Sequence, residues 1–291
     1  MTLNVGVFGA EDAGKTTFAG LLYSAHIDLS NKPDKRREFR FYSTPSQLRV
    51  MQGIYTQLRS GDWPEVPQGV SRITCSYEYP TSTSLLSKML GRSDHATNSI
   101  NFNIYLLPME ELRKSGIFRD ALASDVFVFL LDISKIAIES GQVIPFSEDL
   151  TICSLLSMGA ERAGQRGAEI IFVLTKFDFV DSETLAALSI PKDPPPLADR
   201  PARQEYVNKL MTKICPETMR LLRKDARVSG ALRDPIHFFS SVRTVFDENG
   251  DVVPKLKRMK GSANFELDYS YEEYEGLIMR MAEIAGERSR R

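Results

Sequence analysis

The chain has 291 residues, 42% of them hydrophobic and 26% charged, with a formal net charge of −1. That apolar content builds a core, which excludes disorder of the chain as a whole, and the near-zero charge gives no global basis for nucleic-acid binding. The apolar run Val126 to Leu131, bounded by two Asp, falls far short of the roughly 20 residues of a membrane span.

Leu3–Phe8 is a short apolar run ending in glycine and reads as a buried strand, followed by a helix over Thr16–Ala25. In Thr44–Arg59, Leu48, Met51, Ile54, Tyr55 and Leu58 recur at helical spacing, and Gly61 and Pro64 end the helix. Val70–Tyr79 is a β-branched and aromatic strand closed by Pro80, and Ile100–Leu107 is a second strand. Between them, Thr81–Ser99 reads as a polar loop with a short helix near Leu85–Leu90, so the two strands pair antiparallel. Glu110–Leu122 reads as a helix, Asp125–Leu131 as a strand buried on both faces, Ser147–Arg166 as a long helix and Glu169–Leu174 as another buried strand. Ile190–Pro201 is a Pro-rich loop, Arg203–Val228 a helix, and Ile236–Phe239 a short strand. Val242–Lys257 suggests a hairpin turning near Asn249-Gly250, and Tyr271–Ala285 a closing helix. Alternating buried strands and helices imply an α/β fold, three layers around a mostly parallel sheet with one antiparallel strand. Residues 1–291 read as a single domain with insertions at about 27–69, 80–99, 179–202 and 243–262.

The strongest motif is Gly9-Ala10-Glu11-Asp12-Ala13-Gly14-Lys15-Thr16-Thr17, a G-x-x-x-x-G-K-[ST] phosphate loop between a strand and a helix. Its glycines let backbone N–H groups turn onto phosphate oxygens, and the helix N-terminus adds partial positive charge. Lys15 is expected to reach the β- and γ-phosphates, Thr16 to offer its hydroxyl to Mg²⁺, and Thr17 to bond the α-phosphate. A second signal, Thr175-Lys176-Phe177-Asp178, follows a buried strand, where a ligand crevice opens in an α/β sheet. The carboxylate of Asp178 can accept from guanine N1–H and the 2-amino group, a donor pair adenine lacks, while the Lys176 stem lies along the base. A third signal, Phe238-Phe239-Ser240-Ser241-Val242-Arg243, follows the last strand.

Together these positions resemble the Ras-like and translation-factor GTPases of the P-loop (TRAFAC) class. The resemblance matches their phosphate loop to Gly9–Thr16, their N/T-K-x-D guanine motif to Thr175–Asp178, and their S-A-K/L motif, whose backbone N–H meets guanine O6, to Ser240–Arg243. Ser241 and Val242 are favoured as its Ser and Ala, with a one-residue slip left open. The resemblance implies Ras-like topology, GTP or GDP as bound nucleotide, Mg²⁺, and a protein partner acting as activator or effector. The G-K-T-T-F start and the W-P insertion are similar to those of prokaryotic small GTPases, some of which sit in multi-gene systems.

The chain departs from that pattern where the family carries D-x-x-G. The stretch reads Leu106-Leu107-Pro108-Met109-Glu110-Glu111, with neither the Asp nor the Gly. Glu110 falls where the family often has its water-orienting Gln; it is either a catalytic carboxylate or a first-turn helix acid favourable to the dipole. Ser71 and Thr74 are candidates for the switch threonine or ordinary strand residues. Asp132 either stands in for the missing acid near Mg²⁺ or is a structural strand end. Trp63-Pro64 either caps a nucleotide-sensitive patch or anchors its loop.

Other features read plainly. The cationic run Lys255–Lys260 reads as a solvated hairpin and loop, or as a site for an acidic partner, nucleic acid or lipid headgroups, and Arg220–Arg227 as an amphipathic helix with a wet face. Cys75, Cys153 and Cys215 are odd in number and far apart, which suggests reduced thiols, and with His26, His95 and His237 they give no zinc pattern. Met1–Val5 shows no secretory signal, Thr2 stands where myristoylation demands Gly, and the Ser-Arg-Arg end has no prenylation Cys, so the expected site is the cytoplasm. Three readings remain: a slow GTPase acting as a molecular switch, a non-hydrolysing GTP/GDP-binding scaffold or regulatory subunit, and a P-loop ATP-using kinase.

Overall fold

The computed structural model describes residues 1–30, 39–80, 97–163, 167–224, 236–258 and 265–289. The short helix expected near Leu85–Leu90, His95, Arg227 and the end of the Lys255–Lys260 run lie outside them. The elements are β1 (Thr2–Gly9), α1 (Lys15–Ser30), β2 (Arg40–Tyr42), α2 (Pro45–Ser60), β3 (Arg72–Pro80) and β4 (Thr97–Tyr105). They continue with α3 (Met109–Leu112), α4 (Phe118–Leu122), β5 (Val126–Asp132), β6 (Ala137–Glu139), β7 (Gln142–Ile144), α5 (Asp149–Ala163), β8 (Glu169–Thr175) and α6 (Ser182–Leu188). The remainder are α7 (Arg200–Ile214), α8 (Pro216–Lys224), β9 (Ile236–Ser240), β10 (Thr244–Phe246), β11 (Val252–Pro254), β12 (Leu256–Arg258), β13 (Phe265–Leu267) and α9 (Tyr271–Arg288).

Seven strands form the central sheet in the order β2-β3-β4-β1-β5-β8-β9. β1 pairs parallel with β4 and β5, and β5, β8 and β9 continue in parallel. β3 runs antiparallel to both β4 and β2, so it is the one reversed strand of this sheet. Side-chain alternation along the parallel strands builds two cores. Val126, Val128 and Leu130 of β5 face α1, α2 and α9, while Phe127, Phe129 and Leu131 face the layer of α3 to α8. These layers are the expected α/β architecture of a P-loop NTPase sheet. Phe8, Tyr105, Phe127 and Phe129 pack as an aromatic cluster on the second face, with centroids 5.4 to 5.8 Å from Phe8. Among the described residues no helix is long and apolar enough to cross a membrane.

Local chemistry explains where the elements differ from the sequence reading. The expected helix Glu110–Leu122 is two short helices, α3 and α4, separated by a turn around Ser115 and Gly116. The expected helix from Arg203 breaks at Cys215, because Pro216 opens α8 and has no N–H to continue α7. The new N-terminus is capped from a distance: buried Asp149 accepts from Glu217 N at 2.8 Å and Thr218 N at 2.9 Å. Ser140-Gly141, both at positive φ, close an unforeseen two-residue hairpin between β6 and β7. The hairpin expected near Asn249-Gly250 is β10–β11, with Gly250 at φ 84°.

Candidate functional site

The C-terminal ends of β1, β5, β8 and β9 open into a cleft of about 870 Å³. This is the crevice position that open α/β sheets offer to ligands. Gly9 ends β1 where a Cβ would stand 3.0 Å from Ala13 Cβ and 3.2 Å from Leu130 O, so the loop packs tightly against β5. Gly14, at φ 83°, then turns the chain into α1, whose first residues are Lys15 and Thr16. Glu11, Asp12, Gly14, Lys15, Thr16 and Thr17 all line the cleft, whereas Gly9 and Ala13 do not.

Lys15 is buried and turns back on its own loop, donating to Gly9 O at 3.0 Å and to Ala10 O. Loss of water contact lowers its ammonium to about 8; Asp12 and Glu11 oppose that shift and Lys135 adds to it. Lys135 donates to the next carbonyl, Glu11 O, at 3.1 Å. The loop end of the cleft therefore carries two ammonium groups resting on three consecutive loop carbonyls.

The far end is built by β8 and β9. The Thr175 hydroxyl lies 3.2 Å from Ala13 O and 3.1 Å from Leu131 O, bracing the end of β8 against the loop. Lys176, at φ 57°, reaches Asp132 Oδ2 at 2.7 Å. The other Asp132 oxygen accepts from Ser134 N at 3.2 Å and Ser134 Oγ at 2.6 Å. Asp132 thus has three protein bonds while it also lines the cleft. Asp178 follows on a single 3₁₀ turn and lines the cleft. Its carboxyl is raised to about 6 by lost hydration, opposed only by its own backbone N–H. Among the described residues it has no other partner.

Ser240 and Val242 line the cleft and Ser241 does not. Ser240 Oγ is tied to Tyr274 at 2.6 Å, and Ser241 N donates to Ser270 Oγ at 3.0 Å. Val242 bridges Tyr269 through Ser270 N to Ser241 O and Arg243 N to Asp268 O, bonds that leave its own N–H out.

The segment after β4, the neighbour of β1, lines the cleft with Leu106, Leu107 and Pro108, apolar and without an acid. Glu110 is exposed on α3 and stays off the cleft; Glu111 lines it instead. The sequence carried a signal for this register, because Met109 and Leu112 are the buried pair of α3 and fix how the helix turns. Ser71 and Thr74 also lie off the cleft. Ser71 O accepts from Leu106 N and Thr74 O from Ser43 Oγ, as ordinary members of the sheet edge, while Val70 lines the cleft. Trp63 lines it too, with its indole N–H donating to Val252 O of β11 at 2.7 Å.

No group of three or more His, Cys, Asp or Glu among the described residues is arranged to hold a metal by itself. A Mg²⁺ ion suits this donor set in another way, since it is commonly held by one or two protein oxygens plus substrate phosphates. The Thr16 hydroxyl in the cleft is such an oxygen, and the carboxylates of Glu11, Asp12 and Glu111 stand in the same cleft.

No protein-family model and no curated protein sequence matches the chain. Among solved structures, the chain is similar to the S. cerevisiae Ski7 GTPase-like domain bound to GDP and inorganic phosphate, at 15% identity and a TM-score of 0.36. The same domain bound to GTP aligns at 14% and 0.36, both alignments covering 81% of this chain and 43% of the other. Sup35 complexed with GDP aligns at 14% and 0.30, covering 82% of this chain and 37% of the other. The chain thus spans less than half the length of these relatives, and scores of this size leave the functional argument to the cleft itself.

Proposed function

We propose that this chain binds guanine nucleotides together with Mg²⁺ and hydrolyses GTP slowly to GDP as a molecular switch. The observation that carries the reading is one cleft lined both by the glycine-rich loop and by the Asp178 carboxylate, which among the described residues has no partner beyond its own backbone N–H. On this reading Lys15 leaves the Gly9 and Ala10 carbonyls for the β- and γ-phosphates, and Thr17 bonds the α-phosphate. The Thr16 hydroxyl would hold a Mg²⁺ ion, which would supply charge neutralisation to the phosphates. Asp178 accepts from the two guanine donors and the Lys176 stem lies along the base. The Val242 N–H meets O6, a role supported by its freedom from the bonds of the Tyr269 bridge.

Hydrolysis is attack by water on the γ-phosphorus, with the bond to the β-phosphate oxygen breaking to give GDP and inorganic phosphate. Glu111 is the α3 carboxylate that lines the cleft, together with Glu11 and Asp12 of the loop, and can orient the water; Glu110 is off the cleft. A second reading, a nucleotide-binding scaffold that does not hydrolyse, is favoured by the apolar wall Leu106–Pro108, which offers no acid and, at Pro108, no N–H. Titration with fluorescent GTP, GDP and ATP, with and without Mg²⁺, and phosphate release in the same preparation separate the two. Guanine binding with release that Lys15→Ala abolishes supports the switch, and tight guanine binding without release supports the scaffold. Preference for ATP overturns both.

A further inference from the structure

We propose that Lys135 is the residue by which this chain distinguishes a nucleoside triphosphate from a diphosphate, meeting the terminal phosphate as a second cation supplied within the same chain. The inference rests on the nucleotide reading of the cleft but not on the identity of the base. It starts from an apparent mismatch of charge. The loop end of the cleft carries the carboxylates of Glu11, Asp12 and Glu111, while the lining residues Leu106, Leu107 and Pro108, which follow the strand beside β1, bring no charge. Lys176 is committed to Asp132. Among the described side chains lining that end, Lys15 without Lys135 is one cation against three carboxylates, even with a Mg²⁺ ion on Thr16 to offset part of the phosphate charge.

Lys135 corrects the balance, and the fold holds it in place. β5 ends at Asp132, whose carboxylate caps the turn Ile133–Lys135 by accepting from Ser134 N and Ser134 Oγ. The cap fixes the backbone beneath Lys135, while its exposed side chain crosses to the loop and lines the cleft. Its ammonium rests on Glu11 O, next along the loop from the two carbonyls on which Lys15 rests. Both cations therefore sit on neutral acceptors, which a phosphate oxygen outcompetes because a charge-assisted bond is the stronger. Lys135 meets the loop at Glu11 and its charge acts on Lys15, which on the proposed reading reaches the β- and γ-phosphates; the phosphate assigned to Lys135 is the outer of these two.

The test measures affinities for guanosine 5′-(β,γ-imido)triphosphate and for GDP, in Mg²⁺, on the full chain and on Lys135→Ala and Lys135→Arg. The expected result is a loss of about tenfold in triphosphate affinity in the Ala variant, an unchanged GDP affinity, and recovery in the Arg variant. Equal loss for both nucleotides means that Lys135 only braces the loop through Glu11 and overturns the proposal, as does no change for either. If the wild-type chain prefers adenine nucleotides, the guanine reading fails, and the same comparison with the imido analogue of ATP and with ADP still decides the role of Lys135. Absence of binding to any of the four overturns both.

Discussion

The hydroxyl of Thr175 stands 3.2 Å from the carbonyl of Ala13, joining the end of β8 to the phosphate loop 162 residues earlier in the chain. The same hydroxyl reaches Leu131 O at 3.1 Å, so one side chain pins three chain segments at the floor of the cleft. Thr175→Val keeps the shape and removes the single O–H that these two buried carbonyls share. The expected loss is about 1–3 kcal/mol of unfolding free energy in urea, since a buried acceptor left unmatched costs its desolvation. Thr175→Ser keeps the hydroxyl and is expected to recover most of it.

The cleft also sets a pH window. The Asp178 carboxyl is raised from 3.8 to about 6 by lost hydration. The folded chain therefore keeps a proton that the unfolded chain sheds between these values, and the stability this group contributes falls as pH rises through that range. Lys15 is lowered from 10.5 to about 8, again by lost hydration, so the unfolded chain is the better proton binder above pH 8 and this contribution rises with pH there. Ligand binding runs on the charged forms. On the proposed reading guanine is held by ionised Asp178, so affinity is expected to rise through about pH 6, and phosphate by charged Lys15, so affinity is expected to fall above about pH 8. Titrations of GDP across pH 5 to 9.5 check the bell, and Asp178→Asn is expected to remove its acid limb alone.

Much of this site was legible from local pattern. A Gly-rich turn between strand and helix, and an acid just past a buried strand, announce themselves because backbone geometry at those points tolerates few residue types. What escaped the sequence depends on contacts between distant segments. The break of the Arg203 helix is written in Pro216, but its cap comes from Asp149 on α5. The turn of α3 that sends Glu111 rather than Glu110 into the cleft follows from which side of Met109 and Leu112 the sheet lies. Lys135 carries no motif; its role depends on the capped turn at the end of β5. Trp63 was visible as an oddity, yet its partner, Val252, lies 189 residues away.

Behind β9 a buried ion pair fixes the Ser240–Val242 end of the cleft. Arg203 Nη2 meets Glu273 Oε2 at 2.6 Å, and the same oxygen accepts from Phe239 N at 3.1 Å. Arg203 also donates to Pro195 O at 2.9 Å and lies 4.7 Å over the Phe239 ring. Arg203→Met leaves Glu273 uncompensated in a buried site and is expected to cost about 3–5 kcal/mol of stability. The double variant with Glu273→Gln removes the stranded charge, so its cost is expected to be well below the sum of the two single variants. Urea denaturation of the four proteins measures the coupling.

Trp63 offers a direct optical reading of the cleft because it is the one tryptophan in the chain. Its N–H bond to Val252 O holds the segment before β3 against the β10–β11 hairpin, while its ring, 39% exposed, lines the cleft beside Pro64 and Val66. A nucleotide filling the cleft displaces water from that ring, so saturating GDP is expected to shift the emission to shorter wavelength or quench it. An unchanged spectrum at saturation would place the ligand away from this wall. Trp63→Phe keeps an apolar ring but loses the donor, which is worth about 1 kcal/mol in such a bond. Its nucleotide affinity is therefore expected to fall by less than tenfold, whereas Trp63→Ala, which also removes the wall, is expected to weaken binding further. A Phe variant as weak as the Ala variant would assign the whole effect to the Val252 bond and none to the ring.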